Sequence, residues 1–266
     1  MRISPVEIED IEKLAPFQPP GWDDIPSDFH TFIDKPHYDQ VKGEVDEEIV
    51  AIGAIIYHVD TAWLAKIIVH PDHRNKGYGK AITQGLIDRI DRTRYRTIYL
   101  DATDMGHPVY TSLGFVDEVS YQHFGRPELA IAAEEGTPWR TSTAADGSRQ
   151  LELDRAVYGE ERLPLLADHL LNACVIEHDG RIMAAYFPTL MQGPVIATHV
   201  RYAEPLMRER LRAFDKAQLP VTNAAGIEVL QRLGCMETRI SRRMFLGERR
   251  LWRPDLVFNR TSGQLG

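Results

Sequence analysis

The stretch Ile67-Ile68-Val69-His70-Pro71-Asp72-His73-Arg74-Asn75-Lys76-Gly77-Tyr78-Gly79-Lys80-Ala81 has the residue types needed to hold a phosphorylated ligand. A β-rich run enters it and an amphipathic run leaves it. Gly77 and Gly79 let the backbone approach a ligand closely and reach φ angles that other residues avoid. The first N–H groups of a helix have no partner within it, and the helix dipole favours an anion at that end. Arg74, Lys76 and Lys80 add positive charge. Together these are the parts of a pyrophosphate cradle. Two common phosphate loops are excluded by single positions. A Walker A loop needs Gly five positions before its Gly-Lys pair and a hydroxyl after the lysine; Arg74 and Ala81 stand there. A dinucleotide loop needs a third Gly where this chain has Ile82.

The elements around the loop follow from residue patterning. Val41 to Val45 and Ile49 to Val59 read as strands joined by an acidic turn, and Ala62 to Val69 as another. Lys80 to Arg94 reads as a helix, with Ile82, Leu86 and Ile90 on one stripe. Thr97 to Asp101 is a short strand, Val109 to Leu113 a short helix ended by Gly114, and Val116 to Phe124 a closing strand. Before them, residues 3–14 fit a helix with Ser4 as N-cap and Glu7 completing a capping box. Residues 16–40, rich in proline, fit irregular structure with at most one short helix. Strands, helix and strand in this order make an α/β or α+β unit with a mixed sheet.

With these elements in place, Arg74-Asn75-Lys76-Gly77-Tyr78-Gly79 after Val69-His70-Pro71 resembles the acetyl-CoA loop of the GNAT N-acetyltransferase superfamily. Asp101-Ala102-Thr103 through Pro108-Val109-Tyr110-Thr111-Ser112-Leu113-Gly114-Phe115 resembles that family's fifth strand and following helix. The match covers residues 1–126. It implies that backbone groups of Ile67 and Val69 pair with the pantetheine arm. It also implies that Arg74, Asn75, Lys76, Gly77, Tyr78, Gly79 and Lys80 hold the pyrophosphate and that Tyr110 acts as general acid on the leaving thiolate. A phenol of pKa about 10 remains protonated at neutral pH and can donate to a thiolate, whose conjugate acid has a pKa of about 8.5. Thr103 stands where the family often has Asn, which weakens one polar contact to the cofactor. No metal is implied. The general base stays open. The fourth strand carries no acid, while Asp101, Asp104, His70, His73 and His107 are all near in sequence.

The second half repeats the plan. Cys174 to His178 and Arg181 to Phe187 flank Asp179-Gly180, a hairpin signal. Val195 to Thr198 reads as a strand; Glu204 to Phe214 and Ala224 to Leu233 read as helices. At an offset of 120 residues, Leu113-Gly114 falls on Leu233-Gly234 and Gly106 on Gly226. The same offset places Asn223 at Thr103 and Leu230 at Tyr110, and no Arg-x-x-Gly-x-Gly follows the 195–198 strand. The resemblance therefore extends to two-domain GNAT proteins. Residues 1–126 are expected to bind acetyl-CoA, residues 127–252 to be a degenerate copy, and residues 253–266 to be a tail. Residues 125–148 read as a linker with an irregular continuation. The second half is expected to shape the acceptor pocket or to hold the halves together.

Bulk properties agree with this reading. A chain of 266 residues fits one large domain or two modest ones at roughly 100–200 residues each. The net charge of −8 offers no global basic surface for nucleic acid. Cys174 and Cys235 fit no metal spacing and read as free thiols of a reducing cytosol. No apolar run is long enough for a membrane span. The expected partner is a small-molecule amine, with neither nucleic acid nor membrane, and a homodimer is left open. A protein or peptide acceptor, or an acyl-CoA sensor without catalysis, are the competing readings.

Overall fold

Asp46 and Glu47 both take left-handed backbone angles, φ of 50° and 67°, and so close a tight turn between two strands. Around this hairpin the first half assembles. The computed structural model describes residues 1–22, 24–126, 136 and 138–265. In order come β1 (Arg2–Pro5), a 3-10 stretch Ile8–Phe17, α1 (Ile25–Phe32), β2 (Tyr38–Val45), β3 (Glu48–Tyr57) and β4 (Thr61–Val69). Then follow α2 (Tyr78–Arg89), β5 (Thr97–Ala102), α3 (His107–Ser112) and β6 (Val116–Gly125). The second half holds β7 (Arg140–Thr141), α4 (Gly147–Tyr158), α5 (Leu163–Leu166), β8 (Cys174–His178), β9 (Arg181–Tyr186) and β10 (Val195–Ala197). It ends with α6 (Val200–Ala213), β11 (Lys216–Pro220), α7 (Ala224–Arg232), β12 (Met236–Gly247) and β13 (Val257–Asn259).

The strands form an eight-stranded sheet ordered β1-β2-β3-β4-β5-β12-β6-β11 and a five-stranded sheet ordered β13-β10-β9-β8-β7. Among the described residues, only β4 and β5 pair in parallel. The helix–strand alternation and mixed sheet are the α/β architecture that the patterning implies. The repeat is visible in detail. Phe115 N donates to Tyr110 O and Cys235 N to Leu230 O, both at helix ends closed by a left-handed glycine, Gly114 or Gly234.

The halves are not separate hydrogen-bonded units. β12 lies between β5 and β6, and β6 is flanked by β12 and β11, both from the second half. A division at residue 126 therefore cuts through one continuous sheet. Arg243 of β12 fastens the seam. Its Nε lies 2.6 Å from Glu118 and its Nη2 3.3 Å from Glu160, and its guanidinium stacks on Tyr99 at 4.1 Å and Trp252 at 4.3 Å. Glu160 also accepts from Thr61 Oγ1 at 2.6 Å and Trp63 Nε1 at 3.0 Å. A buried guanidinium is tolerated here because carboxylates and aromatic faces replace its water.

Several expectations need correction. Residues 3–14 do not form one helix: Arg2–Pro5 pair antiparallel with β2, and the helical stretch starts at Ile8 behind a Glu7/Asp10 capping box. Covering the β2 edge outweighs the local Ser4-Pro5 signal. The helix read as Lys80–Arg94 runs Tyr78–Arg89, and the Asp91 side chain then takes Thr93 N in a turn. Residues 149–173, assigned no element from sequence, carry most of α4 and all of α5. The supposed tail beyond 252 is built into the second sheet, with Val257, Phe258 and Leu265 buried. Of the supposed linker, residues 127–135 and 137 lie outside the described residues.

Candidate active site

β4 carries an extra residue relative to β3: Ile68 stands opposite Ile52, but Ala65 stands opposite Ala54. The surplus is absorbed at Lys66, whose φ is 50°. This bulge bends β4 away from β5. The two strands pair only over Thr61–Trp63 and Thr97–Tyr99 and then diverge. His70 N donates to Val50 O at 2.9 Å, which fixes the alternation of the ladder. Val69 and Ile67 therefore turn their backbone groups away from β3, into the diverging gap.

The gap leads to the glycine loop. Pro71–His73 make a 3-10 turn, with the His70 ring accepting from Asp72 N at 3.3 Å. Asn75 and Gly77 are left-handed at φ 62° and 81°. A Cβ on Gly77 would meet nothing within 4 Å, so the glycine is required for its backbone angle, not for room. Gly77 is the N-cap of α2, and its carbonyl takes Ala81 N at 3.1 Å. Among the described residues, the N–H groups of Asn75 to Lys80 find no acceptor, and Arg74, Lys76 and Lys80 form no ion pair. All three cations are exposed. The mouth of the gap thus presents backbone donors, a helix N-terminus and positive charge to an anion.

On one face of the sheet, α2 and α3 pack over β3, β4 and β5, and Tyr110 of α3 lies in that core, edge-on to Phe115 at 6.1 Å. Its phenol is held above the ordinary range, first by burial and then by the negative charge of Asp101. Gly106 is needed beside it, because a Cβ there would lie 2.7 Å from the Tyr110 ring. Thr103 caps the turn into α3, its hydroxyl taking Gly106 N at 3.3 Å.

Residues 6–115 match the acetyltransferase (GNAT) family model, which spans the bulged strand, the loop and Tyr110. Residues 6–115 are a GNAT acetyltransferase domain. Solved structures extend the likeness of the fold beyond this domain. A protein of Pyrococcus horikoshii, provisionally assigned as an acetyltransferase, aligns over 100% of this chain and 95% of its own, at 20% identity and a TM-score of 0.83. A GCN5-related N-acetyltransferase of Sphaerobacter thermophilus aligns over 95% of this chain and 98% of its own, at 13% identity and a TM-score of 0.62. At these identities the likeness is one of fold. No curated protein sequence matches the chain significantly. Both partners run the length of the chain, so the tandem plan as well as the GNAT domain is a shared architecture.

The other face of the GNAT domain is covered by α1 and the 3-10 stretch at one end and by the second half at the other. Among the charged groups on this face is Lys66, from the bulge. It pairs with Asp28 of α1 and lies 5.6 Å and 5.9 Å from the Phe29 and Phe32 ring centres. Asp101, at the end of β5, is another. Its Oδ2 accepts from Arg260 Nη2 at 3.0 Å, and Oδ1 is enclosed without a partner. The remaining base candidates are dispersed. Asp104 is exposed and pairs with Arg242, His107 with Asp117, and His73 with Glu48. Sequence reading missed Arg260 altogether, because it lies 159 residues from Asp101. Lys66 had a signal, a lone charge inside an apolar strand run. Among the described residues no cluster of metal-ligating side chains occurs, and no helix is long and apolar enough to cross a membrane.

Proposed function

We propose that the protein transfers an acetyl group from acetyl-CoA to the primary amine of a small acceptor by direct attack. The observation that carries this reading is the bulged β4 edge running into a loop whose amides and cations have no partners. An extended pantetheine arm can pair with Ile67 and Val69 as a strand would. The amides of Asn75 to Lys80, with Arg74 and Lys76, suit a pyrophosphate. Thr103 stands beside the arm in the position of the family's Asn.

Tyr110 serves as the acid. Burial keeps its phenol protonated, and burial raises a thiol in the same way: Cys174, buried in the separate core of the second half, is pushed up to about 11. Desolvation therefore makes a leaving thiolate more basic and better matched to a phenol than it is in water. The acceptor approaches from the opposite face, near α1, Asp101 and the second half. Free buried thiols at Cys174 and Cys235 fit the reducing cytoplasm as the place of work.

Thiol release from acetyl-CoA, followed with amino acids, polyamines, amino sugars and short peptides, tests the reading. Turnover on a small amine is expected, and Tyr110→Phe should lower kcat by about 10²-fold or more with acetyl-CoA affinity unchanged. Turnover confined to peptides would move the acceptor class. Binding of acetyl-CoA without any turnover would favour a sensor.

A further inference from the structure

Resting on the transferase reading, we propose that Asp101 is the catalytic base that takes the acceptor amine's proton and that Arg260 is its positioning residue. Alternation along β5 places Leu100 and Ala102 with Tyr110 on one face, and Tyr99 and Asp101 on the other. Acid and base thus flank the β4–β5 gap from opposite sides. The Asp101 side chain is only 9% exposed. One oxygen is anchored by Arg260, while Oδ1 is enclosed and accepts nothing. An enclosed carboxylate oxygen without a donor is costly to leave unpaired, and such groups call for a functional explanation. A donor arriving with the acceptor supplies one. Among the base candidates near the gap, Asp101 alone combines this enclosure with a free acceptor atom.

The chemistry sets when the proton moves. A free ammonium has a pKa of about 10.4 and an ordinary carboxyl group about 3.9, so a carboxylate does not strip a resting ammonium efficiently. The neutral amine hydrogen-bonds to Oδ1. Its lone pair forms the N–C bond to the acetyl carbonyl carbon, which makes the nitrogen cationic and its proton acidic. That proton passes to Asp101. The C–S bond breaks, its electron pair leaves on sulfur, and Tyr110 supplies the proton for the thiol. Both residues then reset by proton exchange with solvent. The products are an amide and a free thiol, with no other reactant.

Arg260 comes from the segment after β13 and is locked in place. Its Nε reaches Gln218 Oε1 and its guanidinium lies 4.4 Å from the Tyr121 ring centre. Gly263 follows it past the carboxylate: a Cβ there would lie 3.2 Å from Asp101 Oδ2. The charged and titratable groups that face Asp101 are Arg260, Arg239 and Arg243 of β12, Tyr110 of α3 and Tyr121 of β6.

The whole 266-residue chain is assayed on an amine that the wild type acetylates; absence of any such amine would remove the transferase reading and this proposal with it. Asp101→Asn should then lower kcat by about 10²-fold or more, with the acetyl-CoA Kd from calorimetry within twofold. A kcat within threefold of wild type overturns the assignment. Arg260→Gln gives a separate readout if the Asn variant does not fold. The acid limb of kcat/KM should move up by about one pH unit as the carboxylate loses its cation, and Arg260→Lys should restore it. An acid limb that stays put in Arg260→Gln overturns the proposal.

Discussion

The two halves carry the same splayed strand pair and use it in opposite ways. In the first, β4 and β5 diverge after three paired residues each, and no strand of the described chain enters the gap. In the second, β13 fills the corresponding place. It pairs antiparallel with β10, and beyond it Arg260 N donates to Gln218 O of β11 at 3.0 Å. The equivalent side chains show what changed. Thr103 caps its helix and goes no further. Asn223 caps α7 through Gly226 N at 2.9 Å and also donates to Val257 O of β13 at 2.9 Å. The loops differ too. His70 to Gly77 separate β4 from α2, but only Thr198 and His199 separate β10 from α6, and the His199 ring itself accepts from Arg201 N. One half leaves its helix N-terminus and strand edge free, and the other satisfies both with its own chain.

The comparison can be broken most forcefully at the inserted strand. Phe258→Ala should cost about 3–5 kcal/mol, because the ring is buried in the second core. Urea unfolding measures the loss. Acetyl-CoA affinity of the folded protein should stay unchanged, and a large affinity change would mean that the second cleft also takes part in binding.

A smaller effect comes from the seam. His123 of β6 sits between the exchanged strands, 2.9 Å from Ser241 Oγ, and its pKa is pushed down to about 2 by burial and by the charges of Arg260 and Arg239. Above pH 6.5 both folded and unfolded chains hold it neutral. As pH falls below 6.5 only the unfolded chain binds the proton, so stability declines by up to about 1.4 kcal/mol per pH unit from this group. Thermal melts between pH 7 and pH 5 should show the decline, and His123→Gln should flatten it. An equal slope in that variant would place the acid sensitivity elsewhere.

The smallest effect sharpens the contrast between the loops. Gly77→Ala forces a Cβ into a left-handed backbone, at a cost of about 1–2 kcal/mol. Because the space around it is open, the strain should appear mainly as weaker acetyl-CoA binding, read by calorimetry. Unchanged affinity would remove the loop from the proposed cradle.

Much of this was legible in one dimension because it depends on neighbours in sequence. The glycine loop, the Asp179-Gly180 hairpin and the Leu-Gly helix ends at 113–114 and 233–234 are local conformational signals. The repeat follows from them by simple offset. Residues 149–173 gave no such signal, since α4 owes its place to packing on β9 and β10.

The sequence by itself determined the two copies, the left-handed glycine loop and the helix ends, and it singled out the candidates for phosphate binding and for the acid, because backbone angles, helix ends and apolar periodicity are set by residues close together in the chain. Only the tertiary structure decided that β12 and β6 are exchanged between the halves, that Val257–Asn259 form a strand, and that Arg260 meets Asp101. Those outcomes depend on closing sheet edges and pairing buried charges across more than a hundred residues, and no local pattern encodes which edge or which charge will be the partner.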